Sequence, residues 1–124
     1  MGMARTYYKV VKRQYCPDCL VSAVADRTLS VKYRQGRVTK PKLGRLFVFV
    51  SFEDAKIFIH GSGSGYEIWT CEVTKPTKIK WIESWWSSSA RIEEFWKKRN
   101  GREIAPEGTF VVDSVKLLEK VYKT

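Results

Sequence analysis

Five apolar residues in a row, Leu46-Phe47-Val48-Phe49-Val50, run directly into Ser51, and this junction constrains the fold more than any other stretch. A strand with apolar side chains pointing both ways has to be covered on both faces, so it belongs inside a sheet rather than at an edge. Ser51 is a favoured helix cap, Asp54 stands three residues on, and Glu53 lies in the first turn where the helix dipole favours negative charge. Phe52, Ala55, Phe58 and Ile59 then share one face, and Gly61 supplies the stop. The spacing therefore predicts a central strand followed by a helix that folds back onto the sheet. The connector Gly61-Ser62-Gly63-Ser64-Gly65 is flexible, but strands flank it immediately, so it joins elements and not domains.

The rest of the chain is dominated by alternation. Tyr7 to Arg13 is rich in β-formers, and Cys16-Pro17-Asp18-Cys19 has turn chemistry with proline at its second position. Leu20 to Val24 returns as a strand, which predicts a hairpin. Leu29 to Tyr33 reads as a third strand. Tyr66 to Val73 puts Trp69, Cys71 and Val73 on one face and Tyr66, Ile68 and Thr70 on the other. Lys78 to Ile82 alternates as well, with Lys78 and Lys80 outward together. A second helix is expected from Ser87-Ser88-Ser89 to Asn100-Gly101, with Ile92, Phe95 and Trp96 as its stripe. The tail from Thr109 to Tyr122 fits a strand after Pro106 and Gly108; a helix would also align Val115, Leu118 and Tyr122. The expected class is α+β: a mixed or antiparallel sheet of five to seven strands with two helices packed on it. At 124 residues, residues 1–124 are read as a single domain.

Composition narrows the setting. No apolar run approaches the roughly 18 residues of a membrane span, and Met1 to Lys12 lacks a secretory apolar core, so a cytoplasmic chain is expected. Gly2 and Thr6 match the loose N-myristoylation pattern, which is short enough to arise by chance. The only side-chain amides are Asn100, Gln14 and Gln35, against 23 Lys and Arg, a hyperthermophile tendency.

Cys16-Pro17-Asp18-Cys19 after Tyr15 resembles a glutaredoxin active-site motif. Redox chemistry there needs the first thiolate at a helix N-terminus, and the residues that follow are β-formers, so the motif reads as a decoy. The same pair is half of a tetrahedral zinc site, with Cys71 and His60 the remaining soft or imidazole candidates. Cys71 falls mid-strand and His60 at a helix end, which makes a complete metal site within one chain unexpected. A hairpin turn with free thiols or a single disulfide is the favoured reading, and a zinc site shared between two chains stays open. No serine elbow accompanies the one histidine, Glu93 and Glu94 diverge on a helix, and Gly61 to Gly65 lacks a phosphate-loop ending, so no catalytic set or cofactor is implied.

Charge gives the strongest functional lead. The chain carries a net charge of +10, and Lys32, Arg34, Arg37, Lys40, Lys42 and Arg45 fall within 14 residues that contain no acid. Such a cluster attracts phosphates through counterion release. Tyr33 and the exposed member of the Trp85-Trp86 pair are placed to stack on unpaired bases. Lys75, Lys78 and Lys80 add positive charge. The expected role is non-enzymatic binding of an anionic partner, with nucleic acid the expected class. A protein-interaction domain whose charge only keeps it soluble is the bland alternative.

One ordered set of segments resembles the ADP-ribosyltransferase-like fold: Tyr33-Arg34-Gln35-Gly36, then Gly44 and Leu46 to Val50, then Ser51, Ala55 and Phe58, then Ile68 to Val73, and Glu103 to Phe110. The resemblance implies a NAD-binding enzyme or an inactive relative, with Arg34 and Ser51 holding NAD and Glu103 as the catalytic carboxylate. The chain departs from that pattern at Gln35, which interrupts the first motif, and at Gly101, where the family carries a partner glutamate or glutamine.

Overall fold

The computed structural model describes residues 5–13, 20–22, 31–42, 44–82, 96 and 103–124. Among these the chain forms β1 (Tyr7–Arg13), β2 (Leu20–Ser22), β3 (Lys32–Tyr33), β4 (Val38–Thr39), β5 (Leu46–Phe49), α1 (Phe52–Ile59) and β6 (Tyr66–Thr74). It continues with β7 (Thr77–Lys78), β8 (Trp81–Ile82), β9 (Glu103–Ile104), β10 (Thr109–Val112) and β11 (Ser114–Lys123). Nine strands join one antiparallel sheet along the path β4-β11-β6-β1-β5-β10-β7, with β2 on β1 and β3 on β2; β8 and β9 make a separate ribbon.

β1 is the branch point. One of its edges pairs with β6 from Tyr7 to Lys12, while the other pairs with β5 at Tyr8 and with β2 from Val11 to Arg13. The arm through β2 and β3 then turns back: Arg37 N–H bonds the Arg34 carbonyl at 3.1 Å, and β4 docks on β11. The Thr39 hydroxyl donates to the Lys32 carbonyl at 3.3 Å, and Gly36 N–H reaches the Leu117 carbonyl at 2.8 Å. The strands β3-β2-β1-β6-β11-β4 thus curl until their two ends touch, the usual way a β-protein hides its edges.

The pleat sends alternate residues to opposite sides. Tyr7 and Val11 of β1, Trp69 and Cys71 of β6, and Val115 and Leu117 of β11 point into the curl, where they meet Leu20, Val31, Tyr33, Leu46, Val48 and Val112. Val10, Ile68 and Phe49 point the other way and are covered by Ala55 and Ile59 of α1. The helix starts as its sequence predicts: Asp54 N–H bonds the Ser51 hydroxyl at 3.1 Å, and Gly61 follows the last turn with φ +80°.

Three expectations need correction. The α+β class with two helices gives way to a mostly antiparallel β fold with a single helix among the described residues. The strand count exceeds five to seven because segments read as one element break in two. Val112 and Ser114 belong to successive strands that separate at Asp113, and β7 and β8 take different partners, β10 and β9. The second helix expected between Ser87 and Gly101 lies outside the described residues except for Trp96. The expected strand Lys78 to Ile82 also changes direction. Lys78 and Lys80 are exposed, but Trp81 joins them outside at 44% exposure while Ile82 is buried. The tail is strand, and Leu46 to Phe49 is internal, flanked by β1 and β10.

Candidate nucleic-acid interface

The segment running from β3 through a turn to β4 sorts its side chains by register, β3 against β2 and β4 against β11. Tyr33 pairs with Leu20 and points inward, so Lys32 and Arg34 on either side of it point out. Thr39 pairs with buried Val115, which leaves Val38 and Lys40 outward in the same way. Arg37 stands exposed in the connecting turn, and Lys42 is exposed just beyond. Among the described residues none of Lys32, Arg34, Arg37, Lys40 and Lys42 has a carboxylate partner. The nearby acid on this outward surface is Glu72 of β6, which faces Lys116 across the ladder.

Arg45 does not belong with these five. Its Nε donates to Asp113 Oδ1 at 2.8 Å, its Nη2 bonds the Lys75 carbonyl, and its side chain is 13% exposed. Tyr33 is also unavailable for stacking on a base, being 1% exposed with its ring beneath the Lys9 ammonium at 5.4 Å. Trp85 and Trp86 lie outside the described residues. Past the cluster, Gly44 adopts φ +65° and lies so close to the Trp96 ring that a Cβ would fall inside it. That ring in turn packs on Phe47 at 5.6 Å, so Gly44 lets a part-buried aromatic pin the end of the basic segment.

Beneath this segment lies an unusual set of buried polar groups. The Lys9 ammonium donates to the Phe47 carbonyl at 2.6 Å and is 7% exposed; burial pushes its pKa down to about 8 against a weaker upward pull from Cys71. Burial likewise pushes the Cys71 thiol up to about 12 and raises the Tyr33 phenol, whose hydroxyl has no hydrogen-bond partner among the described residues. Burial alone would raise the Glu67 carboxyl too. Bonds from Arg13 and from Trp69 Nε1 (2.9 Å) outweigh it, with the charges of Arg13 and Lys120, and hold that carboxyl below its ordinary value. A cleft of about 300 Å³ opens beside this group, lined by Arg13, Leu20, Tyr33, Arg34, Gln35 and Trp69.

Sequence reasoning missed Lys9, Arg13, Glu67 and Trp69 as neighbours, although the signal was present. Following the alternation of Tyr7 and Val11 through Lys9, and of Trp69 and Cys71 back through Glu67, places both charges on the inward face. Of the residues implied by the ADP-ribosyltransferase-like resemblance, Arg34 is exposed at the cleft, Ser51 caps α1, and Glu103 belongs to the separate β8–β9 ribbon. Cys16 and Cys19 lie outside the described residues. Among the described residues no three His, Cys, Asp or Glu gather as metal ligands, and no helix is long and apolar enough to cross a membrane. Comparison with family models, with curated proteins and with solved structures finds no match for this chain.

Proposed function

We propose that the chain binds a polyanion, nucleic acid foremost, through Lys32, Arg34, Arg37, Lys40 and Lys42. The observation that carries this reading is that the short β3-turn-β4 segment and the loop after it present five exposed cations without a carboxylate partner among the described residues. An exposed cation already paired with a protein carboxylate gains less from a phosphate, because the phosphate has to replace an existing partner. Among the described residues these five have no such competitor, and the buried Tyr33 fixes the strand beside which Lys32 and Arg34 stand exposed. Phosphate contacts of this kind position a strand without reading its bases.

The test is binding of a fluorescein-labelled single-stranded oligonucleotide, followed by anisotropy across a salt series. Each phosphate neutralised on a single strand contributes about −0.7 to the slope of log K against log salt. The triple reversal Arg34→Glu, Arg37→Glu, Lys42→Glu is expected to weaken binding by about 100-fold or more and to flatten the slope by about 2. All three side chains are exposed, so the fold should be retained. Equal affinity and an equal slope in the reversed protein would overturn the reading.

A further inference from the structure

The ribbon of β8 and β9 turns a large ring outward. Trp81 and Ile104 are directly opposed across the ladder, so their side chains share one face, whereas Ile82, one residue on, turns the other way and is buried. Trp81 is 44% exposed and Ile104 71% exposed. Single exposed apolar residues are ordinary on a protein surface, but an adjacent pair that includes a tryptophan marks a contact surface. Tyr33, the aromatic inside the basic run, has no ring surface to offer; Trp81 has.

The surroundings of this pair indicate its partner. Residues 75–82 hold Lys75, Lys78 and Lys80 and no acid. All three lysines are exposed. Among the described residues Lys78 and Lys80 have no carboxylate partner, and Lys75 reaches Asp113 only at 4.0 Å. On the facing strand and the turn after it the acids are Glu103, at the register position opposite Ile82, and Glu107. This lysine set also adjoins the five cations described above. The Arg45 guanidinium bonds the Lys75 carbonyl, and Arg45 stands three residues after Lys42. Trp81 follows Lys75 by six residues, a reach of at most about 22 Å even at full extension. A basic path therefore runs from Lys40 and Lys42 past Arg45 to Lys75, and on through Lys78 and Lys80 to the exposed ring.

We propose that Trp81, flanked by Ile104, is a stacking platform for an unpaired base of a single-stranded nucleic acid whose phosphates follow Lys75, Lys78 and Lys80. The inference rests on the polyanion reading above and narrows the partner to a strand with free bases. The lysines attract phosphates whatever the sequence. The indole adds a π surface that any base can use, so it raises affinity without selecting a sequence. A duplex keeps its bases stacked on one another, so it engages the lysines and not the ring.

The experiment uses the full chain and three labelled probes of equal strand length: an oligothymidylate, an abasic strand with the same phosphates, and a duplex. At one salt concentration the oligothymidylate is expected to bind at least about 10-fold more tightly than the abasic strand, the scale of one stacked base. Trp81→Ala is expected to erase that margin and leave abasic and duplex binding, and the salt slope, unchanged, since every cation remains. Unchanged abasic binding also shows that the variant is folded. Trp81→Phe keeps a ring and should hold oligothymidylate affinity within about 3-fold, while the quenching of tryptophan emission by that strand should fall. Salt-dependent binding that is equal for the oligothymidylate and the abasic strand, a margin that survives Trp81→Ala, or equal quenching in Trp81→Phe overturns the platform and leaves the basic reading standing. A dimer that Trp81→Ala dissolves in sedimentation, with the margin intact, assigns the pair to self-contact and overturns it as well. No salt-dependent binding of any probe overturns the basic reading and the platform with it.

Discussion

The two faces of β1 and β6 are built from the same strands and do different things. On the side covered by α1, Val10, Phe49 and Ile68 meet Ala55 and Ile59, and aromatic rings tile the margin: Tyr8 on Phe52 at 6.1 Å, Phe49 on Phe58 at 5.1 Å, Phe52 on Tyr122 at 5.9 Å. Among the described residues no charged side chain is buried there; Lys56 lies over the Phe52 and Tyr122 rings, part-buried at the rim. On the inward side the same strands bury Lys9 and Glu67 among Tyr7, Val11, Trp69 and Cys71. Buried charge is costly unless it is satisfied, and folds do not accumulate it for stability alone. The helix-covered face is thus the dry half of the molecule. The inward face carries buried polar groups that hold the Phe47 carbonyl, the Tyr33 ring, Arg13 and Trp69 in place.

The sharpest way to break this division is to damage the dry face and look for a functional consequence. Ile68 has no exposed surface, and its side chain lies under α1. Ile68→Ala removes three carbons from a packed site and is expected to cost about 2–5 kcal/mol in urea or thermal unfolding. The folded fraction should bind oligonucleotide as the unaltered chain does. A destabilisation under about 1 kcal/mol, or a binding defect in protein shown to be folded, would mean that the two faces are not separate in role.

Glu67→Gln probes the other side. The amide keeps the shape and can still accept from Trp69, but it loses the charge that holds Arg13. Arg13 is partly exposed and water can replace part of the lost bond, so the cost is expected at about 1–3 kcal/mol, below that of Ile68→Ala. Arg13 loses its charged partner at Glu67, while the salt slope of oligonucleotide binding should persist, because the five exposed cations of the β3–β4 segment are untouched. There is also a pH signature. A carboxyl held below its ordinary value stabilises the fold above that ordinary value and loses this contribution as acid protonates it in the folded state. Stability of the unaltered chain should therefore fall as pH drops below the ordinary glutamate value towards the lower one Glu67 has in the fold, and Glu67→Gln should flatten that acid limb.

Much of this architecture was legible from residue pattern. The capped helix at Ser51, the doubly buried Leu46 to Phe49, and the opposed faces of Tyr66 to Val73 are local signals, and each survives because the tertiary environment agrees with it. What pattern missed depends on distant partners. Arg45 looks like one cation of six, yet a carboxylate 68 positions away, Asp113, removes it from the surface set. Tyr33 looks like a stacking residue inside a basic run, yet its register against Leu20 turns it inward. Trp81 breaks alternation because the chain changes sheets between Lys78 and Trp81, and the Lys80 carbonyl is taken by Ala105 N–H at 2.8 Å. Pairing across large sequence separation decides all three. No composition or period carries that information.

The smallest expected effect is also the most specific to the inward face, because it follows the titration of groups buried there. Lys9 has its pKa lowered from 10.5 to about 8, so between those values the unfolded chain holds the proton that the folded chain has released. Stability then rises with pH across that window, by about 1 kcal/mol from pH 8 to 9. Cys71 works in the opposite sense: its thiol is raised from 9.0 to about 12, so above pH 9 the unfolded chain ionises first and the fold loses stability. Tyr33, raised from 10.0, adds to that loss above pH 10. The two trends meet near pH 9, where chemical denaturation should find a shallow maximum. Lys9→Met is expected to remove the rising limb and Cys71→Val to weaken the falling one, whereas Ile68→Ala should lower the whole curve without changing its shape. A curve that keeps its rising limb in Lys9→Met would show that the lysine is not buried as a charge, and the contrast between a dry face and a polar one would lose its clearest member.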